Sequence, residues 1–309
     1  MRGGCDSGGL SVLVRSVFSA ACAAAVVLCL AGHARGAVVF GQSDDFEDGT
    51  VMEWMEGFLS PNPPSNVADG GPGGAGDAFV RNESSGGPRE GSRQVMFNQA
   101  QWAGNYAAAH VTRIDAWLAN FGTTPLHMRV AVQSSAGSAF ASTNAALVPA
   151  DGVWRPVTFE LTSGSMTRVL GTQDLASALS DVRELRLLSA QAGPAIVGDG
   201  VASVLGADDL RASHLPGDSN FDGEVDGADL LTWRRHRGAR GDSADWEIGD
   251  FNFDDRVDAR DLVLLRRNFG RSPTLAAVGA APVAVVPEPT ALAGITIVAG
   301  LALRRRSRR

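Results

Sequence analysis

The chain has 309 residues and a formal net charge of −7, and all 27 of its basic residues are arginine. The first 36 residues and the terminal run Arg304 to Arg309 are net basic, so the part between is more acidic than the whole; that balance excludes nucleic acid as a partner. All three cysteines, Cys5, Cys22 and Cys29, fall in the first 36 residues, so the rest of the chain carries no disulfide.

The N-terminal segment has the pattern of a secretory signal over residues 1–36. Arg2 and Arg15 precede an apolar run from Val17 to Leu30, and small residues follow at Ala34 and Gly36. Cleavage after either small residue fits. No cysteine follows a Leu-Ala-Gly sequence at the boundary, which argues against a lipoprotein anchor.

Residues 37–213 are long enough for one domain with its own core. Leu126, Met128, Val130 and Val132 alternate with His127, Arg129, Ala131 and Gln133, the period of a strand with one face buried. Arg155, Val157, Phe159 and Leu161 form a similar run, and Val182 to Leu188 and Val201 to Arg211 read as further strands. Leu175 to Leu179 reads as a turn or two of helix. Gly/Pro clusters, Pro61 to Gly76 and Ser84 to Gly91, separate such segments. Short strands with turns of this composition predict a β-sandwich.

This region opens with Asp44-Asp45-Phe46-Glu47 and closes with Gly206-Ala207-Asp208-Asp209-Leu210-Arg211. That bracket resembles the jelly-roll modules related to galactose-binding domains, many carbohydrate-binding modules among them. The resemblance implies that the first and last strands lie side by side. It also implies a structural calcium held by Asp45, Glu47, Asp208 and Asp209. The alternative is that these carboxylates are solvated caps of strand ends. Trp54, Trp102, Tyr106, Trp117 and Trp154 supply either core or a sugar-stacking platform.

Catalysis has little support in the residues. No H-E-x-x-H, G-x-S-x-G or Cys-His arrangement occurs. His110, His127, His214 and His236 lack metal-ligand spacing. A glycosidase needs two carboxylates across one cleft, and Glu53, Glu56, Glu160 and Glu184 are the candidates.

A duplicated acidic pattern follows. One copy begins at Asp218 (DSNFDGEVDGAD) and the other at Asp250 (DFNFDDRVDARD). Each sets acidic or amide oxygens at positions 1, 3, 5, 9 and 12, the spacing by which a tight loop surrounds a hard cation such as Ca²⁺. Each runs into a short apolar-basic helix ending at Gly. Gly217-Asp218 through Leu231 and Gly249-Asp250 through Leu264 closely resemble the type I dockerin module. The resemblance implies Asp218, Asn220, Asp222, Asp226 and Asp229 as side-chain ligands, with the Glu224 carbonyl. In the second loop it implies Asp250, Asn252, Asp254, Asp258 and Asp261, with the Arg256 carbonyl. Asp255 stands where the loop normally turns on Gly, so a weaker second site is expected. Dockerins bind a cohesin partner through the loop–helix junction, commonly with a Ser/Thr pair; here Gly227-Ala228 and Ala259-Arg260 occupy it, so a different partner preference is expected. The apolar residues Leu230, Leu231, Trp233, Leu262, Val263, Leu265 and Phe269 make a thin core, so this module, residues 214–271, needs its metal to fold.

After a linker over 272–286, residues 287–309 hold three ordered parts. Val286-Pro287-Glu288-Pro289 is followed by an apolar run from Ala291 to Leu303 and then Arg304-Arg305-Arg306-Ser307-Arg308-Arg309. This resembles the PEP-CTERM sorting tail of Gram-negative bacteria. The apolar run is short for a stable span and suits transient membrane anchoring, with the arginines on the cytoplasmic side. The resemblance implies cutting by an exosortase-type enzyme; a plain tail anchor is the alternative.

The expected architecture is mainly β, a jelly-roll-like sandwich followed by a small α-helical dockerin-like calcium module. The leading functional expectation is an exported, non-catalytic cell-surface or extracellular-matrix protein. Its partners would be polysaccharide at the sandwich and a cohesin-like or other surface protein at the calcium module. A polysaccharide-degrading enzyme or its accessory subunit is the first alternative, and a purely structural matrix protein the second.

Overall fold

The computed structural model describes residues 37–57, 60–89 and 91–272. The expected signal segment, most of the linker and the sorting tail lie outside the described residues. No described helix is long and apolar enough to cross a membrane.

Twelve strands precede the acidic repeats: β1 Ser43–Asp44, β2 Ser65–Val67, β3 Phe79–Ser85, β4 Val95–Asn98, β5 Arg113–Asn120, β6 Leu126–Ser134, β7 Ala139–Ser142, β8 Ala146–Val148, β9 Arg155–Glu160, β10 Met166–Leu170, β11 Val182–Ser189 and β12 Ala202–Ser213. A short helix, α1 Leu175–Leu179, lies between β10 and β11, capped by Asp174 at its N-terminus. One sheet has the order β2-β3-β12-β5-β9, with β1 also on β12; the other has β10-β7-β6-β11-β4, with β8 on β6. All pairings are antiparallel. The chain crosses repeatedly from one sheet to the other, as a sandwich requires.

The strands expected from alternation appear as β6, β9, β11 and β12. Leu126, Met128, Val130 and Val132 of β6 and Leu185 and Leu187 of β11 meet Ile114, Leu118, Leu205 and Ala207 of the opposite sheet in one core. The other face of β6 departs from expectation. Arg129 and Ala131, expected on a polar side, are buried. The segment after β11 folds over this face, and Ala190, Ala195 and Ile196 pack on Ala131, Ala141 and Leu188. The Arg129 guanidinium is satisfied there by the carbonyls of Ala190, Ser142 and Thr143 at 2.7–2.9 Å. Burial is tolerable for this cation because carbonyl oxygens replace its water.

Trp54, Trp102 and Tyr106 are core residues, not a platform. Both indole N–H groups donate to one oxygen of buried Asp44, at 2.7 Å from Trp54 and 2.6 Å from Trp102. Burial raises the Asp44 pKa, and these two donors partly offset it.

Two helices follow the sandwich, α2 Gly227–His236 and α3 Ala259–Asn268. Each begins with a capping box, Asp226 with Asp229 and Asp258 with Asp261. Trp233 and Leu265 are buried between them, but Leu231, Val263 and Phe269, expected in the core, are exposed. Residues three apart share a helix face, so Leu230 and Trp233, and likewise Leu262 and Leu265, point inward while Leu231 and Val263 do not. The core is completed by Val225, Trp246, Phe251 and Val257 instead. Val225 and Val257 hold position 8 of the two repeats and bridge them. Val225 exchanges backbone hydrogen bonds with Gly270 and Arg271, after α3, and Val257 with Gly238 and Ala239, after α2. Gly217 and Gly249 open the repeats with φ of 108° and 113°. A Cβ at either would collide with Val225 and Leu265 or press on Trp233.

Candidate metal centres

The two loops are folded around their first residue. Asp218 Oδ1 accepts the N–H of Asp222 at 3.2 Å, and its Oδ2 accepts that of Gly223 at 2.8 Å. Asp250 repeats this with Asp254 at 3.2 Å and Asp255 at 2.9 Å. The last residue closes each loop from the helix side. Asp229 accepts the N–H groups of Ser219 and Asp226, both at 2.8 Å, and Asp261 those of Phe251 and Asp258 at 2.9 and 2.7 Å. Position 6 is left-handed in both, with φ 87° at Gly223 and 58° at Asp255. Asp255 therefore takes the turn that Gly takes in the first loop, at a steric cost.

Asp218, Asp229, Asp250 and Asp261 are buried. Burial pushes the Asp250 carboxyl above its usual range, with repulsion from Asp254 adding to it. Burial also raises Asp261, with repulsion from Asp250 and Asp254. Asp254 Oδ1 is buried without a hydrogen-bond partner. Its other oxygen is met by Arg260 at 3.0 Å and by the Asn252 amide. A hard divalent cation would offset the repulsion among these carboxylates. Asn220, Asp222, Glu224 and Asp226 in the first loop and Asn252, Arg256 and Asp258 in the second occupy the remaining positions expected to supply ligands; Asp226 and Asp258 also accept the N–H groups of Ala228 and Arg260, both at 2.7 Å. The sequence reading missed His214. Its Nε2 lies 2.8 Å from Asp218 Oδ2, and its Nδ1 lies 2.8 Å from the His110 carbonyl oxygen.

The acidic bracket of the sandwich is brought together in part. β1 pairs with β12, Ser43 against Arg211 and Asp44 against Leu210, so the first and last strands are adjacent as expected. A bulge interrupts β12 between Asp208 and Arg211, with φ of 48° at Asp209. Burial raises Asp208 to about 8, and repulsion from Asp209, Asp77 and Glu47 contributes. Burial raises Asp209 too, with repulsion from Asp77, Asp45 and Glu47. Asp77 belongs to this field and was not foreseen. Glu47 is engaged by the Ala78 N–H at 2.8 Å. Among the described residues no three His, Cys, Asp or Glu side chains are set together at metal-holding distance, in this bracket or in the two acidic loops.

Three of the four carboxylates considered for glycoside hydrolysis are engaged by neighbouring side chains. Glu184 is buried between Arg183 and Arg186, Glu160 faces Arg271, and Glu56 is buried with Ser60 as its hydrogen-bond partner. On the outward face of the first sheet, Trp154 and Phe121 lie edge-to-face at 5.8 Å over Gly206. A Cβ there would come within 2.9 Å of both rings. The Trp154 N–H donates to the Gly70 carbonyl, and Arg155 pairs with Asp151 at the rim.

Residues 216–270 match the family described as the dockerin type I domain. They form such a domain, and its loops are those described above. No curated protein matches the chain. Among solved structures it is similar to an exo-beta-agarase, at 14% identity and a TM-score of 0.42, over 67% of this chain and 28% of that one. It is also similar to a family 11 carbohydrate-binding module from Clostridium thermocellum solved with a beta-1,3-1,4-mixed-linked tetrasaccharide, at 14% identity and a TM-score of 0.38. That match covers 58% of this chain and 98% of the module. The chain thus spans little more than a quarter of the agarase's length.

Proposed function

We propose that the chain is an exported, non-catalytic surface or matrix protein whose sandwich binds glycan and whose dockerin domain, loaded with Ca²⁺, docks on a cohesin-like surface partner. The repeated loop geometry carries this reading: two buried first aspartates, each gripped by the next turn of backbone and closed by a second buried aspartate. Calcium is the natural occupant of such oxygen sets. The exposed helix starts, Gly227-Ala228 and Ala259-Arg260, would face the partner. Calorimetric titration of the full chain with Ca²⁺ tests the metal reading; two sites are expected in the loops, and Asp218→Ala should remove one. A third equivalent would place an ion among Asp45, Glu47, Asp208 and Asp209, and a stoichiometry of two would dismiss it.

The glycan reading is supported by Trp154 and Phe121, partly exposed rings with hydrogen-bonding groups at their rim, the composition that stacks on a sugar face. A glycan array with wild type and Trp154→Ala tests it. Binding that survives the substitution would move the site elsewhere, and no binding to any glycan would favour a purely structural protein. A polysaccharide-degrading role requires a pair of carboxylates across one cleft, and hydrolysis of any arrayed glycan would restore it. The export reading includes removal of the tail by an exosortase-type enzyme. Recovery of the peptide from Ala291 to Arg309 on extracellular protein would contradict it.

A further inference from the structure

The sandwich and the dockerin domain meet at the tips of the acidic loops, and Arg271, after α3, pairs with Glu160 of β9. Phe221 and Phe253 hold position 4 of the two loops and share a left-handed backbone, φ 57° and 58°. Phe40, from the turn before β1, lies against both: 5.2 Å from Phe221, 5.7 Å from Phe253 and 5.2 Å from Trp246. The contact extends to each side. His110 stacks on Phe221 at 4.6 Å, and the Arg211 guanidinium lies 4.7 Å from the centre of the Phe253 ring. Two large apolar rings at loop tips would face water in an isolated module; here the sandwich covers them.

Polar contacts tie the same joint to a metal-site residue. His214 spans from the His110 carbonyl oxygen to Asp218 Oδ2, 2.8 Å on either side. The Trp246 N–H donates to the Asp218 carbonyl at 2.6 Å while the Trp246 ring meets Phe40 edge-on. The first ligand of the first loop is thus held through groups that also touch the sandwich. Outer contacts of this kind orient a ligand and tune its affinity.

We propose that calcium binding by the dockerin domain and docking of that domain on its own sandwich are one coupled equilibrium. Calcium sets the loop backbone that presents Phe221 and Phe253, and Phe40, His110 and Arg211 hold the presented form. Because both events favour the same loop conformation, each strengthens the other by the same factor. The occupant of the loop-tip surface is this chain's own sandwich, which leaves the helix starts open to a partner. The inference rests on the reading of the loops as calcium sites.

Calcium titration and small-angle scattering of the full chain test it, with Phe40→Ala on one side of the joint and Phe253→Ser on the other. Wild type should bind calcium at both loops and become more compact than in chelator. Each variant should keep both loop sites but bind calcium about 5- to 20-fold more weakly, the range of an ordinary coupling, and stay expanded in calcium. Unchanged affinity in both variants, or equal compactness of wild type with and without calcium, would overturn the coupling and leave the calcium sites standing. Absence of calcium binding by wild type would overturn both.

Discussion

The sandwich and the dockerin domain solve the problem of a stable interior in opposite ways. The sandwich buries a continuous apolar core between two sheets, and its buried polar groups are local exceptions such as Asp44 between two indoles. The dockerin domain buries a handful of apolar side chains, and four of its most buried residues are the aspartates that begin and end the loops. Apolar burial stabilises the first without help, whereas carboxylates brought together repel one another, a cost that a bound cation would offset. The stability of the two regions should therefore respond to different variables.

The sharpest test is chelation. Hydrogen exchange on the full chain in chelator should show loss of protection across Asp218 to Asn268, while Ile114 to Leu118 and Leu185 to Leu188 stay protected. Structural zinc domains set the precedent that binding energy is folding energy in modules this small. Equal protection in both conditions would erase the contrast.

The next effect lies in the sandwich. Asp44→Ala strands two buried indole N–H groups and should destabilise the sandwich by about 3 kcal/mol, seen as a lower denaturation midpoint, with calcium stoichiometry at the loops unchanged. A shift smaller than the error of the measurement would mean that Trp54 and Trp102 find other acceptors.

Glu56 offers a test by pH. Burial pushes its carboxyl up to about 7, above its unfolded value, so the folded state holds the proton more tightly. Between pH 4.5 and 7 the native state binds more protons than the unfolded one, and stability falls as pH rises through that window. Glu56→Gln should flatten that slope and raise stability at pH 8 on the order of 2 kcal/mol. An unaltered slope would assign it to other groups.

The smallest effect separates the two loops from each other. Asp255→Gly relieves a left-handed aspartate and should tighten the second site by about 1 kcal/mol, read as a severalfold lower Kd in calorimetry. No change would mean that Asp255 adopts this turn without cost.

The sequence by itself determined the parts whose signal is local. The motif residues are spaced along a short stretch of chain, so DSNFDGEVDGAD and its repeat declare the dockerin domain of residues 216–270 without knowledge of the rest. Strands with one face in a core, such as Leu126 to Val132, declare themselves by alternation, because that period follows from the pleat. β3, β4 and β5 did not, since Asn82, Ser84, Asn98 and Asn120 are buried polar residues that break the pattern, and each is satisfied in part by the carbonyl of a residue distant in the chain: Val95, Val201, Met52 and Val148. Which face of β6 is covered was likewise undecidable, because the cover comes from residues 190–196. The same holds for Phe40 and Asp77, and for the contact of His214 with the His110 carbonyl: each joins residues far apart in the chain, and only the tertiary structure brings them together. The aromatic repeat at Phe221 and Phe253 was visible in the sequence, but its meaning depends on Phe40, which lies far away along the chain and close in space.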